Sequence, residues 1–380
     1  MPLSPLVSEL QTYPFVRLDE AKAAARARGI DLIDFGMGEP NEETEPFIRQ
    51  ALVDALAPRL AYPRAPGLAE LRQAIADWLR LRFGVEVEPD AEIVPTLGSK
   101  EAIFSFAQTA VGPGKDVVAI PEPAYPVYER GALVAHGEPF AVPLREEHGF
   151  LPDLDAVPDE VWARLAIFWV NYPNNPTGAV APVSLYEELA ARAAEHDFLV
   201  CSDEAYSEIW FDETPVSALQ ARDRSRIVVF NTLSKRSSMP GYRSGFVAGP
   251  PGVVATLKSF RPSTGTAPQE FVQRAAIAAW RDEDHVRRTR TLYRRKRDLI
   301  RPALEERGIR IAASEASFFL WFAVPEGDTS EEFATRLLEH GVVVAPGSFF
   351  GAAGEGYARL ALVPTEAECE RAAAILREVL

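Results

Sequence analysis

Residues 165–206, LAIFWVNYPNNPTGAVAPVSLYEELAARAAEHDFLVCSDEAY, combine two buried strands, a turn and a helix in one run. The apolar segments 165–170 and 198–202 are short and rich in aromatic and β-branched residues, which is typical of strands covered on both faces. Between them, residues 183–196 have helical periodicity. The order strand, helix, strand predicts two parallel neighbours joined by a crossover helix.

The same alternation extends in both directions along the chain. Further strands are predicted at 116–120, 227–230 and 245–248, with helices at 100–111 and 127–135. This pattern predicts an α/β fold, in which a mostly parallel central sheet carries helices on both faces. In such sheets, ligands bind beyond the carboxyl ends of the strands. The loops that follow the strands are therefore the places to search for chemistry.

The pattern changes after Pro268 and indicates a second, smaller α/β domain. Helices are predicted at 270–280, 284–307, 330–340 and from residue 366, and strands at 318–323, 342–345 and 358–361. The segment up to about residue 40 has no partner of its own and is expected to pack on the smaller domain. We therefore predict a large domain at 41–280 and a small domain formed by 1–40 and 281–380.

Composition excludes several classes of function. The 380 residues carry a net charge of -15, which disfavours nucleic acid and anionic membranes as partners. No apolar run is long enough to cross a bilayer and no export signal is visible. The two cysteines and five histidines show no metal-ligand spacing, so no metal is expected. A cytoplasmic protein is the resulting expectation, and any anionic substrate would need arginines or lysines placed locally.

A carboxylate follows one strand directly. In SDEAY, Asp203 stands at the end of the strand 198–202, and Tyr206 comes three residues later. An isolated Asp at such a place is usually a helix cap. The alternative is that Asp203 faces the nitrogen of a bound pyridine ring, which needs an anion to stay protonated. Tyr206 would then donate to the ring oxygen, unless it is an ordinary half-buried aromatic residue.

A lysine follows another strand. The run IVVFNTLSKRSSMPGYRSG, residues 227–245, ends a strand and places Lys235 in a loop of small polar residues. A lysine near other cations has a lowered pKa and can act as an amine nucleophile. Arg243, after a Pro-Gly turn, suits a phosphate clamp. A lone loop lysine is usually solvated, but Asp203 and Arg243 together favour a catalytic Lys235.

Other motifs add polar groups at further loops. NYPNNPTG cannot continue as helix or strand, and its rigid turn can fix Asn175 for a hydrogen bond to a cofactor, although a purely structural turn is the alternative. TLGSKEAI begins a helix, whose N–H groups form an anion site. Tyr125, in PEPAYPVY, can stack on a planar ring or pack in the core. Arg359 lies in the apolar strand YARLAL, where a bound carboxylate or an internal salt bridge would compensate its charge.

These motifs, in this order, resemble the class I and II aminotransferases of pyridoxal-5'-phosphate (PLP) fold type I. The resemblance runs from GMGEP at 36–40, through YPRAPGLAELR and the motifs above, to YARLAL. It implies PLP as cofactor, an amino acid and a 2-oxo acid as substrates, and a homodimer with shared active sites. Lys235 would bond covalently to PLP and carry a proton between substrate Cα and the cofactor.

The resemblance implies roles for the other matching positions. Asp203 would pair with the pyridine nitrogen, while Asn175 and Tyr206 would bond the ring oxygen and Tyr125 would stack on the ring. Arg359 would hold the α-carboxylate and Gly38 would lie over the substrate. The phosphate would be surrounded by Gly98, Ser99, Lys100, Thr232 and Arg243, with Tyr62 reaching it from the neighbouring subunit. Tyr125 and Thr232 differ from the commonest family residues, but both keep the needed chemistry.

Within the family, the chain is most similar to bacterial N-succinyldiaminopimelate aminotransferases of lysine biosynthesis. The stretches SKRSSMPGYRSGFVAG, GTAPQEFVQRAAIAAWRDEDHV and SFFLWFAVPEGD carry this likeness, whereas Ser263-Thr264-Gly265 departs from a Tyr-His pair common there. The expected reaction uses N-succinyl-LL-2,6-diaminopimelate with 2-oxoglutarate. Lys100 and Arg17 are candidates for the distal carboxylate of the substrate, although Arg17 can equally form a surface salt bridge.

Three alternatives remain at this point. The first is an aspartate, alanine or aromatic aminotransferase, and the second is a PLP β-lyase or decarboxylase. The third is a non-enzymatic regulator with a PLP fold, which usually carries an attached DNA-binding domain. Neither the length nor the acidic charge of this chain favours that third class.

Overall fold

The central feature of the computed structural model, which describes Leu6 and residues 14–380, is a seven-stranded sheet. Its strands are β2 (Ile93–Thr96), β3 (Val117–Glu122), β4 (Glu138–Pro143), β5 (Leu165–Asn171), β6 (Leu199–Asp203), β7 (Ile227–Thr232) and β8 (Gly245–Ala248). Their order in the sheet is β2-β8-β7-β6-β5-β3-β4. All pairs are parallel except those of β8 with β2 and β7.

A second, antiparallel sheet consists of β9 (Ile311–Ala313), β10 (Phe319–Ala323), β12 (Ala345–Pro346) and β13 (Tyr357–Ala361). Their order in this sheet is β12-β13-β10-β9. A separate parallel pair joins β1 (Ile33–Asp34) to β11 (Val342–Val343). The segment before residue 40 is thereby attached to the C-terminal region, and Arg28 adds an ion pair to Glu339 at 2.8 Å.

The helices that cover these sheets are described in chain order. Before the β3 strand lie α1 (Pro14–Ala27), α2 (Pro46–Asp54), α3 (Ala69–Phe83), α4 (Pro89–Glu92) and α5 (Gly98–Ala110). The middle of the chain holds α6 (Val127–Val134), α7 (Asp159–Arg164), α8 (Val183–His196), α9 (Leu233–Arg236) and α10 (Pro251–Thr264). The remainder holds α11 (Glu270–Trp280), α12 (Asp284–Glu305), α13 (Ser330–Glu339) and α14 (Glu366–Val379).

Both faces of the large sheet are buried, because alternate side chains of each strand enter different cores. Val118, Ile167, Cys201 and Val228 face one core, to which α5, α6 and α10 contribute. The neighbouring strand residues Ala119, Phe168, Val200 and Val229 face the other core, with α3, α8 and α11. This arrangement confirms the α/β fold with a mostly parallel sheet and helices on both faces. A third core contains apolar residues of α12, α13, α14 and the small sheet.

The predicted elements are present apart from one divided strand, but several helices and the strands β1, β2, β4 and β9 were not predicted. Strands β1, β2 and β9 have only two to four residues, and the prolines in β2 and β4 disfavour a strand. The predicted strand 342–345 is wrong as one unit. Its halves pair with β1 and with β13, because the chain changes partner at Val344. The domain boundaries at 40 and 280 stay a prediction.

Three neighbouring strands of the large sheet end in polar residues. Strand β5 ends at Asn171, β6 at Asp203 and β7 at Thr232. The sheet register places Asn171 opposite Asp203, and Asp203 opposite Phe230. Since the strands are parallel, all three residues lie at one edge of the sheet.

Candidate active site

A cavity of about 460 Å³ lies at this edge. It brings together residues from the ends of the large-sheet strands, from the start of α5, from the 37–39 segment and from β13. Of the predicted site residues, those that line it are Gly38, Ser99, Lys100, Tyr125, Asn175, Asp203, Tyr206, Thr232, Lys235, Arg243 and Arg359. Residues from widely separated motifs therefore share one cavity.

Lys235 enters the cavity from the four-residue helix α9, which follows β7 directly. Its Nζ atom donates a hydrogen bond to the carbonyl oxygen of Gly38. Burial lowers the pKa of Lys235 to about 8, and the cations of Arg359 and Arg243 act in the same direction, while Glu39 and Asp203 oppose the shift. A large fraction of the Lys235 amine is therefore neutral, and nucleophilic, at mildly alkaline pH.

Asp203 is the buried acid of the cavity. Its carboxylate accepts hydrogen bonds from the Tyr128 hydroxyl at 2.8 Å and from the backbone N–H of Ala205 at 3.2 Å. Burial raises the pKa of Asp203 to about 6, and these two hydrogen bonds limit the rise. Asp203 is therefore an anion at neutral pH, and it can face a protonated ring nitrogen.

Tyr128 is a functional candidate that the sequence analysis missed. It lies in α6, is buried, and stacks on Trp169 with ring centres 5.0 Å apart. It follows Tyr125 by three residues, and this proximity to a predicted site residue was the available signal. Nothing in the sequence, however, indicates that Tyr128 reaches Asp203.

The beginning of α5 and Arg243 form an anion-binding corner. The Arg243 guanidinium donates to the Leu97 carbonyl at 3.0 Å, and a Cβ atom on Gly98 would come within 2.5 Å of it. Gly98 also has a φ of +74°, so a side chain at this position is excluded twice over. Gly98 itself does not line the cavity, but it permits the approach of Arg243 to the helix start.

Two further groups complete this corner. The Thr232 hydroxyl lies 2.9 Å from that of Ser234 and donates to the Ser244 carbonyl at 3.0 Å. Burial lowers the pKa of Lys100, and the nearby guanidinium groups of Arg243 and Arg130 lower it further. Helix N–H groups, two hydroxyls and two cations are a donor set suited to a phosphate.

Arg359 is a buried residue that lines the same cavity. It donates to the side-chain oxygen of Asn175 at 2.8 Å and to the Gly36 carbonyl at 2.7 Å. The rings of Phe319 and Phe350 lie 4.4 and 4.6 Å from its guanidinium. These contacts fix the planar group, which can bind a carboxylate in the bidentate manner.

Aromatic rings and one glycine shape the space between the two sides. Tyr125 lies beside Lys100, whose Nζ is 5.8 Å from the ring centre. Tyr206 lies at the same distance from Lys235 Nζ. A Cβ atom on Gly38 would approach the Phe319 ring to 3.0 Å, so this position leaves room that a larger residue would take.

Besides Gly98, two predicted site residues do not line the cavity. The side chain of Tyr62 is 98% exposed. Arg17 forms an ion pair with Glu331 at 3.4 Å and lies 5.0 Å from the Phe349 ring. Their assigned roles stay predictions. Across residues 14–380, no group of three or more His, Cys, Asp or Glu side chains could hold a metal ion, and no helix is long and apolar enough to cross a membrane.

Comparison with known proteins identifies the family. Residues 30–376 match the model of "Aminotransferase class I and II", so the chain belongs to this family of aminotransferases. An LL-diaminopimelate aminotransferase of Aquifex aeolicus (strain VF5) is 42% identical over 370 residues, which cover 96% of this chain and 95% of that protein.

Two solved structures extend the comparison. A probable N-succinyldiaminopimelate aminotransferase of Thermus thermophilus has 33% identity and a TM-score of 0.91, with 96% of this chain and 100% of that chain covered. The aspartate aminotransferase of Thermus thermophilus with maleate has 31% identity, a TM-score of 0.90 and full coverage of both chains. These structures confirm PLP fold type I.

The cofactor of this family is PLP, and the cavity fits it. PLP carries a phosphate, a pyridine nitrogen and an aldehyde, which need an anion site, a carboxylate and a nucleophilic amine. The start of α5 with Arg243, the buried carboxylate of Asp203, and the neutral fraction of Lys235 supply these three groups. The residues present therefore match the chemistry of the cofactor.

Proposed function

We propose that this aminotransferase transfers an amino group between a diaminopimelate and a 2-oxo acid in lysine biosynthesis. The observation that carries the proposal is that Lys235 and Arg359 line the same cavity. An amino acid whose α-carboxylate binds Arg359 then presents its Cα towards the Lys235 amine. The names of the relatives support the diaminopimelate part of the proposal.

Each side chain has a distinct task in this proposal. When bound, PLP accepts the electron pair that remains as the substrate Cα loses its proton. Lys235 holds the cofactor covalently between reactions and moves the proton from Cα, because its lowered pKa makes it a base near neutral pH. Asp203 holds the ring nitrogen protonated. Asn175 orients Arg359 and bonds the ring oxygen, to which Tyr206 also donates.

The two candidate amino donors, LL-diaminopimelate and its N-succinyl form, differ in charge at the end distant from the reacting amine. A second cavity of about 460 Å³ shares Tyr125 and Phe350 with the first, and Glu129 and Arg130 line it. These opposite charges match the ammonium and carboxylate at the far end of unmodified LL-diaminopimelate. Succinylation removes that ammonium charge, so we favour LL-diaminopimelate over its N-succinyl form.

N-succinyl-LL-diaminopimelate is the second candidate, supported by the Thermus thermophilus structure and by the sequence stretches around Lys235. Both donors, and glutamate, carry a distal carboxylate that Lys100 can bind from inside the cavity. Aspartate is the third candidate, on the likeness to an aspartate aminotransferase.

A donor panel tests the proposal. The PLP-loaded enzyme is mixed with LL-diaminopimelate, its N-succinyl form, aspartate, alanine or glutamate, and the first half-reaction is followed by the cofactor absorbance. We expect kcat/KM for LL-diaminopimelate to exceed that for aspartate by at least about tenfold, because a hydrogen bond to a charged group contributes about 1.5–3 kcal/mol. A preference for aspartate over both diaminopimelates contradicts the proposal, and release of pyruvate or carbon dioxide without keto-acid exchange indicates a lyase or decarboxylase.

We further propose that the working unit is a homodimer to which Tyr62 contributes. Val53, Leu56 and Leu60 precede it and leave about half of their apolar surface exposed, at 55%, 54% and 46%. A cluster of this kind is typical of an interface. Sedimentation should give twice the chain mass, and Tyr62→Phe should weaken PLP binding if its hydroxyl reaches the phosphate of the neighbouring subunit. A stable active monomer contradicts this assignment.

A further inference from the structure

The residue that follows Lys235 in helix α9 points away from the cavity. Arg236 is 1% exposed and does not line the cavity that Lys235 enters. Its guanidinium lies 4.9 Å from the ring centre of Trp280 and 5.6 Å from that of Trp78. The two cationic side chains therefore leave the same short helix in different directions.

Arg236 binds the segment that joins α11 to α12. It donates to the Ala279 carbonyl at 2.7 Å and to the Asp282 carbonyl at 3.3 Å, and it pairs with the Glu283 carboxylate. The last carbonyl groups of a helix lack partners within the helix and attract cations. The α11 end is therefore a fixed attachment point for Arg236.

The next residue, Ser237, makes a second attachment to the same segment. Its hydroxyl lies 2.8 Å from Nε2 of His285, and Nδ1 of that ring lies 2.6 Å from the Asp282 carboxylate. His285 is 1% exposed, so water does not compete for these bonds. Two consecutive residues after Lys235 are thus tied to residues 279–285.

Helix α9 needs such attachments because it is too short to hold itself. Four residues close little more than one turn, and short helices are unstable without tertiary contacts. At its beginning, Thr232 accepts a hydrogen bond from the Ser234 N–H at 3.2 Å. At its end, the attachments are those of Arg236 and Ser237. A buried guanidinium is costly, and an apolar side chain would fill the space at a lower cost.

We propose that Arg236 is a positioning residue, which holds helix α9 so that Lys235 projects into the cavity with its amine at the reacting atoms. Ser237, through His285 and Asp282, supports the same orientation. This inference rests on the role of Lys235 in the proposed function. A small displacement of a reacting group is sufficient to slow a reaction strongly.

The test compares Arg236→Met with Arg297→Met. Arg297 is a matched control, because it is also buried, lies 4.3 Å from the Phe211 ring, pairs with Asp212 and Asp298, and does not line the cavity. Two rates are measured in each variant. The first is the rate at which the apo-protein bonds PLP covalently, and the second is the rate of the first half-reaction with the best donor. Thermal unfolding reports the loss of stability.

We expect both rates to fall at least about tenfold in Arg236→Met and less than about twofold in Arg297→Met, while donor affinity is unchanged. Arg236→Lys should recover most of the loss, because an ammonium can still bind the Ala279 carbonyl. Equal rates in the two Met variants overturn the proposal. Should Arg236→Met fail to fold, Arg236→Gln and Ser237→Ala replace it, and wild-type rates in both overturn it. A wild-type enzyme that reacts with no donor contradicts the proposed function instead.

Discussion

The two sides of the cavity are built in different ways. The side that carries Asp203, Thr232 and Lys235 comes from adjacent strands of one sheet, so its geometry follows from the register of β5, β6 and β7. The side that carries Arg359 of β13 is held by hydrogen bonds of this residue to Gly36 and Asn175, which are distant in sequence. The sheet side is therefore fixed by local structure, whereas the Arg359 side depends on how three separate segments pack.

This difference predicts that the two sides have separable functions. Changes on the sheet side should alter cofactor binding and the rate of the chemical steps. Replacement of Arg359 itself should alter substrate affinity and leave the bound cofactor undisturbed. The variants below test this separation.

The largest of these effects is expected for Asp203→Asn. The amide keeps the size of the side chain but removes the charge that holds the ring nitrogen protonated. The rate of the half-reaction should fall about 10³-fold, as for the loss of a charged group aimed at developing charge in an active site. Stopped-flow absorbance with saturating donor measures it. A fall that is confined to KM would contradict the separation of the two sides.

Arg359→Met should have a smaller effect of another kind. Loss of a bidentate, charged hydrogen-bond pair to the α-carboxylate should lower kcat/KM about 10²-fold, mainly by raising KM. The absorbance of the bound cofactor should stay unchanged, since the proposed partner of Arg359 is the substrate carboxylate and not the cofactor. If the variant binds PLP poorly but its KM is normal, Arg359 does not hold the substrate.

Tyr128→Phe should change a pH dependence. The Tyr128 hydroxyl lowers the pKa of Asp203, which burial raises to about 6. Without it the pKa rises further, so Asp203 becomes protonated at higher pH as the solution is acidified. The pH at which the apo-protein loses half its PLP affinity should therefore move up by about one unit. Titration of PLP affinity between about pH 5 and pH 8, a range that includes the pKa of Asp203, measures this midpoint. An unchanged midpoint contradicts the role of Tyr128.

The smallest effect should separate Lys100 from Arg17. Lys100→Met should lower kcat/KM about tenfold for diaminopimelate or glutamate and less for alanine, which has no distal carboxylate. Arg17→Met should change neither, because its exposed pair with Glu331 contributes about 0–1 kcal/mol and lies outside the cavity. If Arg17→Met shows the selective loss instead, Arg17 binds the distal carboxylate.

The sequence predicts those parts of the site that follow strands. Asp203, Asn175 and Lys235 each stand at or just after a buried apolar run, and parallel strands bring their carboxyl ends to one edge. The fold class was predictable for the same reason, since strands and helices alternate through the middle of the chain. The edge strand β4 was not predicted, because two of its six residues are prolines.

Contacts made by packing could not be predicted. Tyr128 reaches Asp203 across the sheet from a helix, and Arg236 reaches the end of α11, 43 residues further along the chain. Both depend on the angle at which a helix lies on the sheet, which no local pattern encodes. The predicted strand 342–345 is divided in the structure for a similar reason, because its two halves pair with different strands, β1 and β13.

The role of Lys235 is tested most directly by Lys235→Ala. We expect this variant to fold and to bind PLP only non-covalently, so that the absorbance of the lysine-bound cofactor and the amino transfer are both lost, the latter by about 10⁴-fold or more. A Lys235→Ala protein that keeps this absorbance band and full turnover would show that Lys235 is not the residue that bonds PLP.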